Sequence, residues 1–85
     1  MIEWRTREEA TDGYDDNNFV ASIYDNEAGF HPAILTKDGY MFLFNVLPDL
    51  ELSKRVCELA LNKNLPWEWW LKNQEKWWYE NVSQI

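Results

Sequence analysis

The chain has one cysteine, Cys57, so no internal disulfide can form, and a lone thiol fits a reducing compartment such as the cytoplasm. It also has one histidine, His31, in a distant segment, which leaves Cys57 without an evident base and marks it as a small buried hydrophobe. Three glycines in all are too few for a nucleotide-cradling loop. The sequence contains no G-x-S-x-G, C-x-x-C or H-E-x-x-H. No run approaches the ~20 apolar residues that a membrane helix requires; the longest, Tyr40 to Leu47, is interrupted by Asn45. The N-terminus is charged from Glu3 onward and lacks the apolar core of a targeting segment. A basic stripe of the kind that grips phosphate backbones is missing as well, which argues against direct nucleic-acid binding. The expectation is therefore a cytoplasmic protein with no catalytic residues, no cofactor, no metal and no membrane contact.

What the chain does have is acid and indole. Its 85 residues, bearing a net charge of −7, are expected to form a single domain with a strand-rich half (1–47) and a helical half (48–85). Residues 1–36 hold eight acids against Arg5 and Arg7, which leaves −6 of the charge in the first half. Such a field repels phosphates and attracts basic surfaces. Five of the six tryptophans lie between Trp67 and Trp78, and each ring offers roughly 150–250 Å² for burial.

The patterning predicts an α+β fold: an antiparallel β-meander of about four strands followed by two C-terminal α-helices packed on the sheet. Ile2–Arg7, Phe19–Tyr24, Phe30–Thr36 and Tyr40–Leu47 read as strands. Glu8–Asn18 reads as a polar loop, and Lys37-Asp38-Gly39 as a hairpin turn. Pro32, having no N–H, is expected at a sheet edge or a strand start. The last strand is apolar on both faces, with Tyr40, Phe42, Phe44 and Val46 on one and Met41, Leu43, Asn45 and Leu47 on the other. Either both sides are covered within the chain, or another molecule covers one, as sheet stacking in a homodimer would.

A first helix is expected to start at Pro48-Asp49 with Asp49 as its cap and to end at Asn62-Lys63-Asn64. Its stripes Leu52/Val56/Leu59/Ala60 and Leu50/Cys57/Leu61 suggest a helix sandwiched between the sheet and the last helix. In the second helix, from near Asn64-Leu65-Pro66 to about Val82, the spacing gathers Trp67, Trp70, Leu71, Trp78 and Val82 on one face. Trp77 falls at the edge of that face and Trp69 on the opposite side.

The residues expected to touch a partner are Trp69, with Trp77 and Tyr79 on the rim, and the acids Asp12, Asp15, Asp16, Asp25 and Glu27. The acidic stretch Thr11–Asn18 does not follow the EF-hand pattern and is read as a contact surface or solvated loop rather than a metal site. This small, acidic, aromatic-rich profile resembles in composition that of phage- or mobile-element-encoded inhibitors of host nucleic-acid machinery, including anti-CRISPR and anti-restriction proteins. The resemblance implies a host protein with a basic surface as partner, disabled by blockade or nucleic-acid mimicry. Two other readings fit the same residues: a carbohydrate-type binding module using exposed Trp, and a homo-oligomeric assembly subunit.

Overall fold

The computed structural model describes residues 1–83. Five antiparallel strands, β1 (Glu3–Arg7), β2 (Ala10–Asp15), β3 (Asn18–Asn26), β4 (Gly29–Leu35) and β5 (Met41–Leu43), form one sheet in sequential order. Two helices follow, α1 (Leu50–Lys63) and α2 (Trp67–Asn81). They lie on one face of the sheet, α1 over β3 and β4 and α2 over β5. The fold is α+β as the patterning predicts, with one strand more than expected.

The additional strand, β2, comes from the stretch expected to be a loop. Its residues, Ala10-Thr11-Asp12-Gly13-Tyr14-Asp15, are too small and polar to show a period of two. Turn chemistry and burial form it instead. Asp16 and Asn17 take φ of 50° and 67°, a two-residue turn that short polar side chains tolerate and that pairs Asp15 with Asn18. On the helix side, Gly13 lies beneath Trp4, leaving 2.9 Å between a Cβ placed there and the indole edge. Trp4 can cross the sheet toward α1, where its Nε1 donates to Glu58 at 3.4 Å, because Gly13 has no side chain.

Pro32 lies inside the sheet, in β4 between β3 and β5, rather than at an edge. Its carbonyl accepts from Phe44 N at 2.9 Å, so the position of its absent N–H also faces β5. The β4–β5 ladder ends there. The chain bows outward at Asn45 and Val46 and returns through the Phe30–Leu47 bridge. The bow reverses the alternation expected for Tyr40–Leu47: Phe42, Phe44 and Leu47 are buried, whereas Val46 is exposed. It also brings the Leu47 carbonyl against Gly29, whose φ of 131° and 2.6 Å clearance at a Cβ position accept no side chain.

Asp49 caps α1 by accepting from Leu52 N at 3.1 Å, and Asn64 closes it in the left-handed conformation with φ 50°. The face of α1 fully buried against the sheet is Ser53, Val56, Cys57 and Ala60, with Leu50, Leu52, Leu59 and Leu61 half-buried on its flanks. The helix is not sandwiched, because α2 lies beside it rather than on top. Pro66, at the start of α2, supplies no side-chain cap. Asp38, from the β4–β5 turn, fills that role: its Oδ1 accepts from Trp67 N at 3.0 Å and from Thr36 Oγ1 at 2.6 Å. These bonds hold its carboxyl below the usual range.

Helix α2 is rotated relative to the expected face. Trp70 and Trp77 are buried, while Trp67 and Leu71 are exposed. The reason is Phe44, whose ring centroid lies 5.3 Å from Trp70, 5.7 Å from Trp77 and 5.9 Å from Trp78. Trp70 in turn meets Trp69 and Trp77 edge-on at 5.0 Å each. Centring α2 on Phe44 gathers more ring contact than the face chosen by periodicity. It also leaves Trp70 Nε1, Trp77 Nε1 and Gln74 Oε1 buried without partners.

Candidate protein-contact surfaces

The sheet exposes one face entirely. Among the described residues, the two helices cover only the side carrying Ala21, Ile23, Ile34 and Phe42. On the other side the pairing aligns Leu35 with Met41, Ala33 with Leu43, and Tyr24 with His31. Leu43 is 64% exposed, Tyr24 46% and Met41 40%. The β4–β5 half of this outer face is thus apolar apart from His31. Its β1–β2 half is charged but internally matched: Arg5 meets Glu3 at 2.8 Å and Arg7 meets Asp12 at 2.7 Å. Arg5 also lies 4.1 Å from the Tyr14 ring centroid.

The meander sorts the acids between the two ends of the sheet. The β1–β2 turn (Glu8, Glu9) and the β3–β4 turn (Asp25, Glu27) lie side by side at one end, joined by a 3.0 Å hydrogen bond from Asp25 N to the Glu9 carbonyl. All four side chains are exposed. The start of α1, with Asp49, comes to the same end through the Phe30–Leu47 bridge. Exposed Val46 sits beside Gly29 there, and Tyr24 is adjacent along β3. Asp15 and Asp16 are at the opposite end of β3, about 25–30 Å away by strand rise. Asp15 there faces the N-terminal amine at 3.9 Å.

Of the contact residues expected from sequence, Asp25, Glu27, Asp15, Asp16 and Tyr79 are exposed. Trp69 is half-buried, its ring against Trp70. Trp77, expected on the rim, is a core residue at 4% exposure, and Asp12 is 7% exposed. Burial alone would raise the Asp12 pKa. Hydrogen bonds from Arg7 and from Ser22, the latter at 2.7 Å, together with the Arg7 charge, reverse this and hold the carboxyl below its ordinary value. Its oxygens are engaged within the sheet. Glu8, Glu9, Tyr24 and Val46 are not among the contact residues expected from sequence. Pairing across the sheet brings them together: the β1–β2 hairpin places Glu8 and Glu9, and the Phe30–Leu47 bridge places Val46.

A cleft of about 620 Å³ opens between the β3–β4 strand ends and the C-terminal half of α1. Its wall is apolar at Val20, Ile34 and Leu61, with Lys37 and Glu58 among its charged residues. No group of His, Cys, Asp and Glu suited to a metal occurs among the described residues. Cys57 donates weakly to the Ala33 carbonyl at 3.8 Å; burial, then the Glu58 charge, push its pKa up to about 12, which holds it as the neutral thiol. His31 Nε2 is engaged by Asn26 Oδ1 at 2.9 Å. No described helix is long and apolar enough to cross a membrane. Comparison with protein-family models, curated proteins and solved structures finds no match for this chain.

Proposed function

We propose that this protein acts by binding another protein, and that the acidic end of its sheet makes the contact. The observation that carries this reading is the convergence of Glu8, Glu9, Asp25 and Glu27, all exposed, on one end that also presents Val46 and Tyr24. Arg7, the nearest base along the chain, is already paired with Asp12. Carboxylates flanking apolar contacts suit a partner surface rich in lysine and arginine, such as a groove that ordinarily holds phosphates. The charge would speed encounter and select the partner, while desolvated apolar contacts would hold it. In this proposal the protein is an inhibitor of a nucleic-acid-handling complex, of the anti-CRISPR or anti-restriction type, that occupies a phosphate-binding surface. The carbohydrate reading loses its main support, because even the most exposed of the six indoles, Trp67, has only 36% of its surface exposed.

Affinity capture from a host lysate at moderate salt tests the proposal, with the wild type beside a variant in which Glu8, Glu9, Asp25 and Glu27 are all replaced by lysine. The expected result is a basic nucleic-acid-handling protein retained by the wild type and lost by the variant. Recovery of no such protein, or equal recovery by both, overturns it.

A further inference from the structure

We propose that a second copy of this chain covers the outer face of the sheet, with the β4–β5 half of one copy stacked on the β4–β5 half of the other. Leu43, Met41 and Tyr24 are among the larger exposed apolar side chains of the molecule, and pairing places them with Leu35 and Ala33 on one continuous surface. Sequence patterning alone left open what covers the second apolar side of the Tyr40–Leu47 segment; among the described residues, the fold leaves Met41 and Leu43 on that side exposed.

Two observations favour a second copy over a different partner. The first is charge. Glu3, Arg5, Arg7 and Asp12 are the charged residues of this face and sum to zero, so the net −7 lies entirely elsewhere. A basic partner would be drawn away from this face, whereas two acidic copies can approach through it without bringing like charges together. The second is that edge-to-edge pairing is poorly served. Edge strand β5 has only three residues, and edge strand β1 carries Glu3, Arg5 and Arg7. Face stacking, with sheets about 10 Å apart, remains. This surface meets the acidic end at Tyr24, but Leu43 and Met41 lie outside that end, and the inference does not depend on the function proposed above.

Sedimentation equilibrium from low micromolar to near-millimolar protein tests the proposal, using the wild type, Leu43→Glu, Met41→Glu and Leu71→Glu. Leu71 is 56% exposed on α2, away from the sheet face. The wild type and Leu71→Glu are expected to reach twice the monomer mass. Leu43→Glu and Met41→Glu are expected to dimerise at least tenfold more weakly, with unchanged circular dichroism. Wild type that stays monomeric throughout overturns the proposal, as does a dimer weakened by Leu71→Glu but not by Leu43→Glu. A nitroxide on Leu43→Cys gives a second readout, since buried Cys57 does not label. A short inter-label distance, compatible with face-to-face sheets, supports the stack, and its absence in a dimer overturns it.

Discussion

Single residues show how this chain uses its few strong interactions. Asp12 was an attractive contact candidate by composition, yet its carboxylate lies within the sheet between Arg7 and Ser22. Its pKa is lowered on folding, so its stabilisation is fully present above the unfolded value of 3.8 and is lost as pH falls through the lower folded value. Asp12→Asn is expected to cost about 1–2 kcal/mol at neutral pH, discounted because Arg7 is largely exposed. The variant should then lose less stability than the wild type below about pH 4, where the wild-type carboxylate is itself neutralised. Urea midpoints between pH 7 and pH 2 check this; parallel curves for the two proteins would show that Asp12 contributes no pH-dependent stability.

At the scale of elements, the legible and the illegible separate by cause. Helix α1 could be read because its signals are local: Asp49 at one end, Asn64 at the other, apolar spacing between. The Lys37-Asp38-Gly39 turn was equally plain, and Gly39 takes the positive φ of 87° that such a turn needs. Strand β2 was not legible, because Thr11 and Gly13 owe their burial to Trp4 and Ile23 on neighbouring strands. Nor was the rotation of α2, since periodicity counts apolar residues and cannot see the single ring, Phe44, around which three indoles gather. The acidic end was missed for the same reason as β2, its two turns being neighbours only once the hairpin exists. The rotation has a measurable cost. Gln74 Oε1 is buried without a donor. Gln74→Met keeps the length of the side chain, removes that unpaired acceptor, and should stabilise the fold by about 1 kcal/mol. Phe44→Ala should cost about 3–5 kcal/mol, enough to threaten a domain of this size. Denaturant titration of both variants separates the hub from its cost, and a destabilised Gln74→Met would mean that the amide is satisfied after all.

For the whole molecule, uneven charge sets stability against binding. The turns carrying Glu8, Glu9, Asp25 and Glu27 are locked together by the Asp25–Glu9 backbone bond, which holds the carboxylates well within one Debye length at low salt. Folding therefore concentrates like charge that the unfolded chain keeps apart, and the native state pays for it in repulsion. Because these groups are exposed, salt screens the penalty. Raising ionic strength from about 0.01 M to 0.15 M shortens the screening length from ~30 Å to ~8 Å and should raise the thermal midpoint of the wild type. A variant with Glu9→Gln and Asp25→Asn should start at a higher midpoint and respond less to salt. If that variant also binds the captured partner more weakly, the same carboxylates that destabilise the fold are those that recognise the partner, as expected when surface chemistry serves binding rather than stability. Differential scanning calorimetry across the salt series measures this response in both proteins. A wild-type midpoint that stays flat or falls with salt would show that the acidic end carries no strain to relieve.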